Sequence, residues 1–386
     1  MTHVRPDLLA ARQAAARASL AREGLDAHVV VHLPNIRYLT GFAGSTAIVV
    51  LTRDEVVLIT DGRYVTEVET TVAPRCPGLR LVRVDLSYDA TLATVVGGLG
   101  ALRVGFESAH LTFKRYDGLA AALRAPAAGE RGVITLIPAE RLVEAARIRK
   151  DEAEVAVFRR AGALVDTVTM EVLNHVRAGQ REWEVAADID DRIRRGGFER
   201  TSFDTIVASG PNAALPHARP GERVLQEGDL VVLDFGGVCE GYCVDITRTV
   251  SVGEPGPEAR RIHEAVAAAH LAAVRAVRPG APVTDVDEAA RAVLEERGLG
   301  SAFTHATGHG LGLEIHEEPR VGPRRTDIPG VPPAGRDDRL EPGVVFTIEP
   351  GAYVPGFGGV RIEDDVLVTV DGAEWLTGAT RELWVV

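Results

Sequence analysis

Apolar positions follow two rhythms along this chain, one helical and one strand-like. Between residues 7 and 23, Leu8, Leu9, Ala15 and Leu20 are spaced among arginines as one stripe of a helix, and Gly24 offers a natural stop. Shorter apolar runs follow. Residues 27–32 predict a strand, and residues 47–51 and 56–60, flanking the polar Thr52-Arg53-Asp54-Glu55, predict a hairpin. Residues 80–84, 103–107 and 133–137 are further strand candidates, with a helix near 114–123. This mixture predicts an α/β domain over residues 1–142 and a second domain over 143–386.

The second part contains an internal repeat. Val176-Arg177-Ala178-Gly179 is matched by Val277-Arg278-Pro279-Gly280, and Val185, Ile189, Ile193 and Gly197 align at the same spacing with Val286, Ala290, Leu294 and Gly298. Each half reads as a long helix, a glycine turn, a second helix with apolar residues every four, and a glycine stop. Strand candidates follow each pair, at 205–208, 230–235 and 242–250 in the first half and at 344–349 and 360–370 in the second. Two similar halves face to face would leave a cleft between their sheets.

Four carboxylates interrupt these apolar strands, and a buried carboxylate without a partner is costly. They are Asp234, Asp245, Glu349 and Glu363, with Asp234 and Asp245 set across a short turn at Glu240-Gly241. Singly, each is also what a strand end reaching solvent, or an ion pair with Arg248 or Arg361, would look like. Jointly they have company. Residues 301–318 place His305, His309 and His316 among Gly308, Gly310 and Gly312, in a run that suits a site-lining loop or strand better than a helix interior. Four carboxylates and one imidazole supply more oxygen than a tetrahedral zinc site uses, and they suit two harder divalent ions a few ångströms apart. The reaction class such a pair implies is hydrolysis.

Together, Asp234-Phe235-Gly236 with the following Asp245, the Gly308-His309-Gly310-Leu311-Gly312-Leu313-Glu314-Ile315-His316-Glu317 run, Thr347-Ile348-Glu349-Pro350-Gly351 and Val360-Arg361-Ile362-Glu363-Asp364 resemble the pita-bread metallopeptidases. The resemblance is to the branch holding prolidase (Xaa-Pro dipeptidase) and Xaa-Pro aminopeptidase. Asn35-Ile36-Arg37-Tyr38-Leu39-Thr40-Gly41-Phe42 and Asp61-Gly62-Arg63-Tyr64 resemble that branch's creatinase-like N-terminal domain, so the likeness spans nearly the whole chain. The fold it implies is an α/β N-terminal domain followed by an α+β pita-bread domain with an internal pseudo-twofold repeat. It further implies that Asp234, Asp245, His309, Glu349 and Glu363 ligate two divalent ions, Mn²⁺ or Co²⁺ with Zn²⁺ as the alternative. Asp245 and Glu363 would bridge, Asp234 would hold one ion, and His309 and Glu349 the other. Glu349 would also shuttle a proton, His217 and His316 would meet the scissile carbonyl and the proline side of the bond, and His305 would support them. Arg361 would hold the carboxylate cluster. Arg320 matches a position that, in microbial prolidases, binds the substrate carboxylate, a task a guanidinium does well.

The expected substrate is a small peptide with proline second, and the expected assembly is a homodimer. Creatinase-type relatives share the fold without the metal ligands, and all five positions are filled here. A pita-bread hydrolase of a non-peptide amide, or a non-catalytic binding module, is the alternative. The segment 321–339, rich in proline and glycine, reads as a rim or lid.

A net charge of −12 without a lysine/arginine block argues against nucleic acid or an anionic membrane as the main partner. No apolar run spans a bilayer and the N-terminus has no signal-peptide core, so a cytoplasmic location is expected. Cys76, Cys239 and Cys243 are too few for a disulfide framework and read as free thiols. Cys243, two residues before Asp245 and so on the same strand face, raises the expectation that its oxidation would disturb the metal site.

Overall fold

In a computed structural model that describes residues 4–100, 103–124, 133–323 and 339–386, the apolar runs of the first part pair into a single six-stranded sheet. Helix α1 (Pro6–Arg22) starts on a proline, whose missing N–H would have had no partner in the first turn anyway. It is followed by β1 (Ala27–Val30), α2 (Leu33–Thr40), β2 (Ile48–Thr52), β3 (Val56–Asp61), β4 (Leu79–Val84), α3 (Tyr88–Gly98), β5 (Arg103–Glu107), α4 (Phe113–Arg124) and β6 (Thr135–Ala139). The sheet order is β4-β3-β2-β1-β5-β6, with the predicted β2–β3 hairpin antiparallel and the outer pairs parallel. β2 and β3 are buried along nearly their whole length, which is why they read as unbroken apolar runs. Helix α2 was not anticipated. Its proline in the first turn and Gly41 at φ +75°, the left-handed cap, are the signals that mark its ends.

The chain divides into two compact units, Met1–Arg147 and Ile148–Val386. The second holds the repeat as α5 (Glu152–Leu173) with α6 (Glu182–Arg195), and α7 (Pro257–Ala276) with α8 (Thr284–Glu296). Asp151 caps α5 in a reciprocal box with Glu154, satisfying donors that the first turn leaves open. The strands are β7 (Arg200–Thr201), β8 (Ile206–Ser209), β9 (Leu230–Cys239), β10 (Tyr242–Ser251), β11 (Gly308–Gly310), β12 (Glu317–Val321), β13 (Val345–Ile348), β14 (Gly351–Val354), β15 (Gly358–Arg361), β16 (Asp364–Val368), β17 (Ala373–Trp375) and β18 (Trp384–Val385).

One sheet runs β18-β10-β9-β7 with β8 on β9, a second runs β12-β11-β13-β16-β17, and β14 and β15 form a ribbon. Among the described residues no helix is long and apolar enough to cross a membrane.

The expected strand over 360–370 is two strands. β15 pairs with β14 and ends at Arg361, whereas β16 joins β13 in another sheet, so the chain changes partners at Ile362-Glu363. Glu363 makes an isolated bridge to Thr247 at that break. Arg361 therefore ends one strand while Glu363 lies in the break before the next.

Helix α5 passes so close to the C-terminal segment that a Cβ on Gly162 would lie 1.8 Å from the Leu376 carbonyl oxygen. Alanine is the better helix former by roughly 1 kcal/mol, but overpacking of this kind costs about 1–3 kcal/mol. Gly162→Ala is therefore expected to lower stability despite its helix propensity, read as a lower denaturation midpoint.

In the first unit, burial pushes the Glu107 carboxyl up to about 7, partly offset by hydrogen bonds from Asn35, His32 and Val31. A folded pKa above the unfolded one gives a contribution that is full below the unfolded value near 4.5 and is lost as pH rises through about 7. Thermal unfolding between pH 5 and 8 is expected to show that loss, at most about 3 kcal/mol, and Glu107→Gln is expected to flatten it.

Candidate metal centre

Asp234 and Asp245 come from one ladder. β9 and β10 pair Asp234 with Thr247 and Asp245 with Gly236, so the two acids are diagonal neighbours on the same face. His309 comes from β11, which can approach β13 only because residue 308 is glycine: a Cβ there would lie 1.8 Å from the Thr347 carbonyl oxygen. This closeness lets the His309 N–H reach Thr347 Oγ1 at 3.2 Å. Glu349 follows β13 directly and its N–H donates to the Thr307 carbonyl at 2.7 Å. Glu363 sits at the break between β15 and β16, its N–H bonded to the Thr247 carbonyl at 3.1 Å.

These elements bring the acids and one histidine together. Asp245, His309 and Glu363 each offer an atom within 4.8 Å of the other two. His309 Nε2 lies 3.9 Å from Asp245 Oδ2 and 3.7 Å from Glu349 Oε1. The other ring nitrogen, Nδ1, is 3.1 Å from the Gly310 carbonyl, which can only accept. Nδ1 therefore carries the hydrogen, and the Nε2 lone pair faces the carboxylates. Asp234 lies beside this group of three, its Oδ2 bonded by the Arg361 guanidinium. Buried Asp234 Oδ1 and Asp245 Oδ1 have no hydrogen-bond partner.

Arg361, 3% exposed, bonds Asp234, Thr247 Oγ1 at 3.2 Å, Tyr353 OH at 2.8 Å and the Pro216 carbonyl at 3.1 Å. Glu363 is fixed from behind, because Arg248 donates to its carbonyl at 2.6 Å and to Asp364 Oδ1 at 2.8 Å. Thr247 Oγ1 completes the hold by donating to Glu363 Oε2 at 2.6 Å.

Burial, and then repulsion among neighbouring carboxylates, holds Asp245 and Glu363 well above the usual carboxylate range. Burial pushes Glu349 up to about 8, with Arg361 opposing the rise and Asp234 adding to it. His309 is pushed down to about 4 by burial first and by His316 next, so its imidazole is neutral. Neutral imidazole with an inward lone pair, orphaned carboxylate oxygens and acids crowded against one another form the donor set that a pair of divalent cations relieves. The residues present fit such a group.

The remaining predicted residues gather around this cluster. The exposed His316 has its ring 4.3 Å from that of His309, and His217, also exposed, is near enough to push the His316 pKa down further after burial. His305 is half-buried, 2.9 Å from Tyr353 OH and 3.9 Å from Glu349 Oε2. Arg320 is exposed and stands directly opposite His309 in the β11–β12 pairing.

Of the expected lid at 321–339, residues 324–338 lie outside the described residues. Cys243 does share the Asp245 face, and it is 2% exposed, with burial pushing its thiol up to about 12, a setting that works against the oxidation expected there. The three cysteines are free thiols.

Sequence reasoning missed Thr247 and Tyr353. Thr247 was findable by strand alternation from Asp245, whereas Tyr353 has no signal apart from its nearness to Glu349 in sequence.

Residues 156–370 match metallopeptidase family M24, and residues 12–149 match the creatinase/prolidase N-terminal domain. An uncharacterized peptidase, YqhT of Bacillus subtilis, is 35% identical over 93% of this chain and 96% of its own length. The solved Xaa-Pro dipeptidase from Bacillus anthracis superposes with a TM-score of 0.89 at 34% identity, covering 98% of this chain and 100% of the other. An X-Pro aminopeptidase from Thermotoga maritima gives a TM-score of 0.82 at 33% identity over 96% and 100%. With its pita-bread unit, its creatinase-type first domain and its carboxylate–histidine cluster, the chain belongs to metallopeptidase family M24.

Proposed function

We propose that this metallopeptidase hydrolyses the Xaa-Pro bond of dipeptides, with Asp234, Asp245, His309, Glu349 and Glu363 holding two divalent ions, Mn²⁺ or Co²⁺ before Zn²⁺. The observation that carries the reading is the convergence of Asp245, His309 and Glu363 within 4.8 Å of one another. Likeness to solved Xaa-Pro peptidases supports the choice of bond. When bound, such a pair acidifies a water and polarises the scissile carbonyl.

The chain's own residues do the rest. Asp245 and Glu363, with Asp234, Glu349 and His309, would hold the pair through their carboxylate oxygens and the inward Nε2 lone pair. Glu349 takes the proton of the attacking water and passes it to the proline nitrogen as the C–N bond breaks. His217 and His316, both exposed beside the cluster, donate to the developing oxyanion and orient the proline side. His305, tied to Tyr353, steadies this edge of the site.

The choice of dipeptides over longer peptides rests on Arg320. Residues directly opposite in an antiparallel pair project from the same face, so its pairing with His309 aims the guanidinium along the histidine's side of the sheet. There it meets the free carboxylate that only a dipeptide carries directly after proline. The reading includes a homodimer, supported by the family resemblance, and a cytoplasmic location, expected from the sequence; a fully active monomer in sedimentation would remove the homodimer.

With Mn²⁺ present, turnover of Ala-Pro is expected to exceed that of Ala-Pro-Ala, and Ala-Gly is expected to be left intact. Arg320→Ala should lower kcat/KM for Ala-Pro by roughly 10–100-fold, the worth of a charge-assisted hydrogen bond, and leave the tripeptide rate unchanged. Equal losses on both peptides would refute the carboxylate role. Asp245→Ala is expected to lose bound metal and activity together, measured by elemental analysis and turnover on one dialysed sample; retained activity would refute the two-metal mechanism.

A further inference from the structure

His217 stands on a segment without regular secondary structure beyond a short 3₁₀ turn at Gly210–Ala214, and a histidine on such a segment needs something to set its position. One tether is already described, from Arg361 to the Pro216 carbonyl beside it. The other is a buried carboxylate. Glu182, the first residue of α6, has no exposed surface, yet its carboxylate is fully used.

Its Oε1 accepts from Ser209 N at 2.8 Å, Ser209 Oγ at 2.7 Å and Asn212 Nδ2 at 3.0 Å. Its Oε2 accepts from Gly221 N at 3.1 Å and again from Asn212 Nδ2 at 3.2 Å. A single side chain therefore closes both ends of the segment 209–221. Arg223 reinforces the near end by donating to Ser209 Oγ at 2.6 Å, and the Glu182 N–H is bonded to the Arg223 carbonyl at 3.0 Å.

A carboxylate is the side chain this geometry demands. Its two oxygens accept at about four lone-pair sites, whereas a glutamine has one accepting oxygen and an NH₂ that would oppose the Gly221 N–H. A buried donor left without an acceptor is more costly than a bond never made. The second half of the repeat uses the same device: Asp287 of α8, also without exposed surface, accepts from Thr307 N at 3.1 Å and Thr307 Oγ1 at 2.8 Å. Its partner Arg291 bonds the His305 carbonyl. In each half, a buried acid on the second helix of the pair thus holds the backbone that carries a site histidine.

We propose that Glu182 is the positioning residue for His217: it touches no substrate and acts by anchoring the segment 209–221 on which His217 stands. The inference rests on the Xaa-Pro reading for its effect on turnover, but not for its effect on the segment. Glu182→Gln, His217→Ala and the double variant are compared as Mn²⁺-loaded full-length protein, with Asn212→Ala as a milder loosening of the same anchor should Glu182→Gln not fold.

Glu182→Gln is expected to lower kcat on Ala-Pro about tenfold with KM within about twofold, and to have no further effect in the His217→Ala background. Hydrogen exchange of amides 209–221 is expected to quicken about tenfold with no change elsewhere in the protein. Quickened exchange supports the anchor even where the wild type turns over no Xaa-Pro peptide, an outcome that would refute the substrate reading alone. An equal loss of kcat in both backgrounds, or unchanged exchange over 209–221, would overturn the proposal.

Discussion

Four carboxylates are drawn out of water into one small volume, and the second unit is built to tolerate this. Each buried acid without a cation opposite it faces a desolvation penalty of several kcal/mol, and neighbouring acids add repulsion. The raised proton affinities of Asp245, Glu349 and Glu363 are the visible result. Nothing in hydrophobic packing would select such an arrangement. It is held in place by the strands that supply it, and those of the second half pack their buried apolar residues with α7 and α8 into one core.

Two guanidiniums divide the work of holding it. Arg361 faces the cluster and binds Asp234 by its side chain, whereas Arg248 faces away and binds Glu363 only through its carbonyl. The difference matters chemically. A guanidinium on a carboxylate competes with a metal ion for its lone pairs, but one on a carbonyl fixes the residue and leaves its oxygens free. Arg248 can do this because Asp364 balances its charge, and Arg381 in turn bonds the other oxygen of Asp364 at 2.7 Å. Positive and negative groups alternate outward from the centre, so no charge in the series is buried alone.

Much of this was legible in the residues. Apolar strands interrupted by acids identify Asp234, Asp245, Glu349 and Glu363 because burial makes an unpartnered carboxylate improbable, and the structure brings Asp245, Glu349 and Glu363 around His309, with Asp234 on Arg361. The helix pairs of the repeat were legible because Ile189 and Ile193, like Ala290 and Leu294, keep a helical spacing that long-range contacts do not disturb. What was not legible depends on pairing across distance. Residues 360–370 read as one strand candidate, and only the competition between β14 and β13 for partners breaks it at Glu363. Helix α2 is short and its signals are capping signals, weaker than periodicity. The bonds of Glu182 reach residues far along the chain, and no local pattern announces them.

The bridge between Thr247 and Glu363 joins residues contributed by the two halves of the repeat. During synthesis Asp234 and Asp245 leave the ribosome well before His309, Glu349, Arg361 and Glu363, and N-terminal parts of a chain tend to fold first. The first half alone thus presents an acidic hairpin with neither Arg361 nor His309 opposite it. A cation that needs all of these ligands would be captured only once the second half has folded, the reverse of a small zinc domain, in which the ion organises the chain.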